Sequence, residues 1–430
     1  MIDKIKIYFI GDNLNSLISI SLRILISLAR FMLILFITTQ YSFSILGEFS
    51  LIITTLVVMT FFIGFEIYLN TSRVLIKNKK HTFYYIKEHF YFIITSYIII
   101  SPLLLTFFIL ELIDYQYLII VFLLLLFELI SNEQYRLLIA LKHPTIANIV
   151  LFTRSALWIY LFILLDFFGL NFNNPIQLLL NFWLISVSIS IFIPIVYFKL
   201  YRTFKLSFKN IISWKRFLKY CKKSYILFLS SLVMVIFNTI DKFIIKMYET
   251  YSVLGIYTLY FSLSNIVFTF VLAGIISIKY PSLLESYTIN NNQYYLNLKK
   301  FNIQIISTTL VISAMSIILL ISYLSYIHDT EKYTLLIDNL SVYIFLLISF
   351  IIYTIHMKEH YDLYIKNKDN EILKSHLIML IIYLLSLFPL IKLYSINGVA
   401  LSHLIASVAI YLLKIYYRKK NNNGENNGNK

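Results

Sequence analysis

A chain of 430 residues that is 59% hydrophobic and only 13% charged carries more apolar surface than one soluble core can hide, which excludes an ordinary water-soluble domain and leaves lipid as its solvent. The formal net charge of +16 invites a nucleic-acid partner, but the basic residues gather in alternate connections and act as a topology signal instead. A single cysteine, Cys221, excludes an internal disulfide framework and a cysteine-rich metal site.

A helix that crosses the hydrocarbon slab needs roughly 20 mainly apolar residues. Twelve such runs are expected, near 17–38, 47–69, 90–110, 117–138, 146–168, 176–198, 225–246, 253–277, 301–325, 336–356, 375–392 and 397–416. Backbone groups in lipid must be bonded within their own segment, which allows helices or a closed barrel, and runs this long and continuously apolar exclude the barrel. The expected fold class is therefore an all-α integral membrane protein. Its expected domains are a six-helix bundle over 1–198, a basic cytoplasmic amphipathic linker over 199–224, a second six-helix bundle over 225–417 and a disordered cytoplasmic tail over 418–430.

The first apolar run lacks the basic, apolar, small-residue layout of a cleavable signal peptide and is expected to remain on the protein. Within it Ser16, Ser19, Arg23, Ser27 and Arg30 share one helical face at spacings of three and four. An ionised group near the bilayer centre costs roughly 2.5–3.5 kcal/mol on insertion scales, so that stripe should face protein or water. Span two carries Glu66, and span four carries Glu128 with Asn132 and Tyr135 on the same face. Such carboxylates are candidates for ion coupling by loading and releasing a proton, or else structural partners of arginine. Arg154 falls about 12 Å into span five at 1.5 Å per residue.

Arg23, Arg30 and Arg154 are thus candidates to line one cavity. The planar guanidinium fork suits phosphate oxygens, which makes a pyrophosphate-linked substrate the natural fit, with Arg30 foremost. The structural alternative has Arg23 snorkelling to headgroups while Arg30 and Arg154 pair with Glu66 or Glu128.

The stretch 199–224 holds nine basic residues, no acid, and Tyr201, Phe204, Phe208, Trp214 and Phe217, the pattern of an amphipathic helix lying on anionic headgroups. Near the end of span seven, Asn238, Asp241, Lys242 and Lys246 form either an ion site at Asp241 or a self-compensating charge cluster, and the cluster is preferred. His356-Met357-Lys358-Glu359-His360 matches the H-x-x-E-H pattern of some zinc peptidases but lacks a third ligand, and it reads as the polar exit of span ten. No nucleotide-binding P-loop and no G-x-S-x-G elbow occurs, so neither ATP hydrolysis nor any other enzymatic reaction, and no cofactor, is expected. The Asn, Gly and Lys tail is too polar to order itself.

With both termini inside, the connections after even-numbered spans carry nearly all the Lys and Arg, while among the opposite connections only Lys332 is basic. Positive residues stay in the cytoplasm during insertion, so both ends are expected there.

Ser44-Ile45-Leu46-Gly47-Glu48-Phe49-Ser50-Leu51 recurs as Ser252-Val253-Leu254-Gly255-Ile256-Tyr257-Thr258-Leu259, each copy in the turn between two apolar runs. One half of the chain repeats the other, as in duplicated membrane transporters. Leu46-Gly47-Glu48-Phe49, Asp241-Lys242-Phe243 followed by Leu254-Gly255-Ile256-Tyr257, and Gly398-Val399-Ala400-Leu401 together resemble, over almost the whole chain, the polysaccharide-type flippases of the multidrug/oligosaccharidyl-lipid/polysaccharide (MOP) exporter superfamily, typified by bacterial O-antigen (Wzx-type) flippases.

The resemblance implies two six-helix bundles related by a pseudo-twofold along the membrane normal, enclosing a cationic cavity that opens alternately to each side. It implies transport of a polyprenyl-pyrophosphate-linked oligosaccharide across the bacterial inner membrane for O-antigen, lipopolysaccharide or capsule synthesis, with membrane lipids, a polymerase and other glycan assembly proteins as partners. Only nine glycines in the chain leave few hinge points, which favours rocking of whole bundles over helix bending. Two alternatives stand beside it. A membrane glycan polymerase of the same pathway would carry a large polar outer loop, and a cation-coupled drug exporter of the same superfamily would show an acid-lined cavity.

Overall fold

The computed structural model describes residues 2–77, 82–168, 174–198, 214–289 and 291–428. Its elements are helices: α1 (Ile2–Gln40), α2 (Phe43–Gly64), α3 (Ile67–Lys77), α4 (Thr82–Ile100), α5 (Leu105–Ile109), α6 (Leu118–Ala140), α7 (Pro144–Phe152), α8 (Trp158–Phe167) and α9 (Pro175–Tyr197). After residues outside the described set come α10 (Trp214–Tyr248), α11 (Tyr251–Val271), α12 (Ser277–Ile289), α13 (Asn291–Tyr326), α14 (Thr330–Asp338), α15 (Leu340–Ile355), α16 (Met357–Ile365) and α17 (Asp369–Gly428).

Local chemistry sets the starts. Asn174, Thr250 and Asp329 cap α9, α11 and α14 by accepting backbone N–H bonds from Gln177, Val253 and Glu331, and proline occupies the first turn of α7 and α9, where a missing N–H costs nothing. Phe65 and Glu66 take positive φ values of 46° and 51°, which ends α2 at Gly64 and interrupts the run expected over 47–69.

Ten stretches among the described residues are long and apolar enough to cross a membrane by length and composition. The last, Asp369–Lys420, covers the expected spans eleven and twelve, which are joined where Ser395 bends the helix with φ 51°. The seventh expected span falls within α10. The protein is therefore an all-α, multi-pass membrane protein. Its lipid-solvated character shows in the sorting of side chains: Ile98, Ile119, Phe192, Leu310 and Leu385 are exposed, whereas small polar groups meet inside. Ser131 bonds Ser190 at 2.7 Å, Ser316 bonds the Tyr343 hydroxyl at 2.8 Å, and Ser349 bonds His403 Nδ1 at 2.7 Å. Small polar residues let helices approach closely and bond across the contact without water.

Two compact units result, one of residues 1–41 and 48–235, the other of 42–47 and 236–430. The division therefore falls inside α10, not at the expected linker. Residues 199–213 of that linker lie outside the described residues. Residues 214–224 begin α10 and pack within the first unit: Phe217 stacks on Phe92 at 4.9 Å between centroids, the Tyr220 hydroxyl donates to Glu88 at 2.6 Å, and the Asn70 amide donates to Ser224 at 2.6 Å. Aromatic burial against α4 thus holds this part of the segment to the bundle, and it is continuous with the seventh span. Over the tail expected to be disordered, the backbone stays helical to Gly428, since extending an existing helix needs no new nucleus.

Candidate functional site

In the first unit, the three arginines singled out from sequence lie on α1 and on the segment between α7 and α8. Arg23 and Arg30 are exposed side chains of α1, and Arg23 Nε donates to Asn148 Oδ1 of α7 at 3.1 Å. Arg154 is buried, 8% exposed, in a π-helical turn, Thr153–Leu157, inserted between α7 and α8. Such one-turn widenings re-aim a side chain out of the regular helical register, and they frequently mark functional positions. Arg30 lies within electrostatic reach of both Arg154 and Glu128, and Arg23 lies about 10 Å along α1 from Arg30 at 1.5 Å per residue.

Glu128 is not a free carboxylate. Arg154 Nε approaches its Oε2 at 3.5 Å, and the indole N–H of Trp183 donates to its Oε1 at 2.6 Å. Trp183 in turn stacks on Trp158 at 5.7 Å, and Phe49 sits edge-on to both at 6.3 and 6.1 Å. Phe49 is the aromatic of the Leu-Gly-x-aromatic turn, so the repeated motif buttresses the arginine site. One carboxylate facing two guanidinium groups leaves the site net positive. Two donors there have no acceptor: buried Arg154 Nη1 and, one turn later, buried Trp158 Nε1. Buried donors of this kind are rare in native structures and ask for a ligand or ordered solvent.

Glu66 departs from the expectation that it pairs with Arg30 or Arg154. It is buried at the break after α2, and the charges that act on it are Arg136 and Glu133. This belongs to a second cluster that sequence reasoning missed. Glu133, 1% exposed, takes His89 Nε2 at 2.9 Å and Arg136 at 3.0 Å, while His89 Nδ1 meets Thr71 at 3.1 Å and Arg136 covers the Tyr68 ring at 4.1 Å. Three helices, α3, α4 and α6, and the break after α2 contribute to it, and the only sequence signal was an acid and a base three residues apart in an apolar run.

In the second unit, Asp241 is fully buried and accepts from the Tyr257 hydroxyl at 2.6 Å and from the Lys242 backbone N–H at 2.9 Å. The lysines expected to compensate it turn to aromatic rings: Lys242 lies 5.4 Å from the Phe261 centroid and Lys246 3.8 Å from that of Tyr251. Asp241 is thus held by a tyrosine as well as by the charge of Lys242, which acts on it electrostatically within the cluster while its ammonium faces an aromatic ring. His356 and His360 do not converge on a metal, and no group of three or more His, Cys, Asp or Glu among the described residues could hold one.

No protein-family profile matches the sequence, and no curated protein matches it either. Solved structures do. The chain superposes on a lipid II flippase, MurJ, in an inward closed conformation with a TM-score of 0.67 at 17% identity, over 94% of this chain and 87% of that one. A multidrug resistance MATE family transporter of the MOP superfamily, inward-facing, gives 0.63 at 13% identity over 94% and 98%. The Vibrio cholerae MATE transporter VcmN gives 0.55 at 16% identity, again over 94% and 98%. At these identities the likeness establishes the fold alone, which this chain shares with these solved transporters along nearly its full length.

Proposed function

We propose that this protein is a flippase that moves a polyprenyl-pyrophosphate-linked oligosaccharide repeat unit from the inner to the outer leaflet of the bacterial cytoplasmic membrane, by alternating access, for assembly of a surface polysaccharide such as O-antigen or capsule. The observation that carries this reading is the net-positive site on α1 and the π-helical turn, where buried Arg154 Nη1 and Trp158 Nε1 lack acceptors beside Arg30. Guanidinium and indole donors with no counter-oxygen suit a pyrophosphate. A likeness in fold to a lipid II flippase supports it.

In this reading Arg30 contacts the pyrophosphate, Arg154 and Arg23 assist, and the polyprenyl tail stays in lipid. Glu128 orients Arg154, while Asp241 and Glu66 are the remaining candidates for ion coupling. Both termini face the cytoplasm, and the product is handed to a polymerase and other glycan assembly proteins. The fold is equally that of drug exporters, and the charge of the site separates the two, because an organic cation would call for unpaired acids where this chain presents arginine.

The test is to delete the gene and ask on which leaflet the lipid-linked repeat unit accumulates, using a glycan-modifying enzyme that reaches only the outer face. Protection of the accumulated unit supports the flippase. Accessibility, with single units still reaching their acceptor, would replace it with a polymerase.

A further inference from the structure

The basic exit of the second unit contains a cluster that the arginine site does not use. Lys414 of α17 is completely buried, and its Nζ lies 2.8 Å from His360 Nδ1 on α16 and 3.1 Å from His376 Nε2 near the start of α17. The two imidazole rings are nearly parallel at 5.9 Å. His356, also fully buried, bonds the Tyr353 carbonyl through Nδ1 and leaves Nε2 without a partner, and His376 Nδ1 and Glu359 Oε2 are likewise buried and unpartnered.

An ammonium that donates to both histidines requires a bare lone pair on His360 Nδ1 and on His376 Nε2, so in that state both rings are neutral. A second proton on either ring would set two like charges about 3 Å apart in a buried space, where Coulomb repulsion is strongest. The three groups therefore share one labile positive charge and titrate as a unit. A purely structural lysine would be expected to find a carboxylate, and two acids are close. Neither bonds Lys414: Asp362 takes Arg418 at 2.5 Å, Lys366 at 3.3 Å and the Tyr294 hydroxyl of α13 at 2.6 Å, while Glu359, which acts on Lys414 electrostatically, takes Lys358 and Arg418, each at 3.4 Å, through Oε1. The other titratable groups facing the cluster are tyrosines: Tyr353 of α15 beside His356, Tyr364 beside His360, and Tyr280 of α12 against Tyr361 and Tyr364.

We propose that Lys414, His360 and His376, with His356 behind them, form a proton-binding site of the second unit that takes up and releases one proton in each transport cycle. The unpartnered nitrogens of His356 and His376 and the free oxygen of Glu359 give the proton places to go. The binding of the proton stands on this geometry alone, and its role in a cycle rests on the transporter reading above.

The experiment is nitrogen NMR of the full chain, 15N-labelled at histidine, in lipid nanodiscs from pH 5 to 9, with signals assigned by single His→Gln variants. The ring nitrogens of His360 and His376 are expected to change hydrogen bonding and tautomer together in one step, as Lys414 gives up the shared proton, and Lys414→Arg is expected to abolish that step because arginine keeps its proton throughout. Separate steps for the two histidines, no step in that range, or a step unchanged in Lys414→Arg would overturn the site. In cells, Lys414→Arg at wild-type abundance is expected to lower glycan export at least tenfold. Export unaffected by Lys414→Arg, in a strain where deletion of the gene does abolish export, would overturn the role in the cycle. A coupled NMR step in a protein whose deletion leaves export intact would instead count against the flippase reading alone.

Discussion

Gly47 and Gly255 meet reciprocally: a Cβ on Gly47 would stand 2.0 Å from the carbonyl oxygen of Tyr251, and one on Gly255 would stand 1.9 Å from that of Phe43. These are the glycines of the repeated octapeptide, and each touches the residue four positions before its counterpart. The duplication visible in the sequence is thus a backbone-to-backbone contact of the first turns of α2 and α11. Gly47→Ala or Gly255→Ala forces that contact apart, and overpacking of this kind costs about 1–3 kcal/mol. Each variant should lower the thermal midpoint of the purified protein. The double variant should cost less than the two singles together, because one shift relieves both clashes.

Replacing Arg30 by Ala should abolish glycan export without lowering membrane abundance. A charge-assisted contact to phosphate is worth about 1.5–3 kcal/mol, a loss of roughly tenfold or more in affinity. Arg30→Lys should recover only part of the export, because lysine lacks the planar fork. Quantitative immunoblotting beside surface-glycan staining makes the comparison, and normal output from Arg30→Ala would remove Arg30 from the substrate site.

Glu128→Gln removes the counter-charge of Arg154 and should act on folding. Stranding one partner of a largely buried pair costs about 3–5 kcal/mol. Lower folded yield and a lower unfolding temperature in detergent are expected. Trp183→Phe, which removes only one donor to Glu128, should cost about 1 kcal/mol. If Glu128→Gln folds normally and only export suffers, Glu128 is a coupling group and not the prop of Arg154.

Tyr257→Phe deprives buried Asp241 of a bond at 2.6 Å. Leaving a buried carboxylate short of a donor costs about 1–3 kcal/mol. The expected result is loss of stability for Tyr257→Phe, with partial rescue by Asp241→Asn in the same chain, read by thermal unfolding.

Much of this architecture was legible from the sequence, for a reason peculiar to lipid. Each span must satisfy its own backbone, so length and apolarity are local properties, and eleven of the twelve expected runs fall on the ten spans found among the described residues. Where the reading failed, a local backbone choice or a distant partner intervened. Glu66 was taken as part of a continuous span, but two left-handed residues end α2 before it and turn it toward Arg136. Residues 214–224 carried the composition of a surface helix, but Phe217 and Tyr220 found partners on α4.

What the sequence alone determined, then, is the all-helical membrane class, the position of most spans, the internal duplication and the presence of arginines that lipid would not tolerate. Only the tertiary structure decided which charges are spent on one another. Glu128 meets Arg154 and Trp183, Glu133 meets His89, and Lys414 meets His360 and His376 across separations of 26 to 55 residues. Hydropathy is summed along a helix, but a salt bridge depends on which faces two helices turn toward each other, and no spacing within either helix records that.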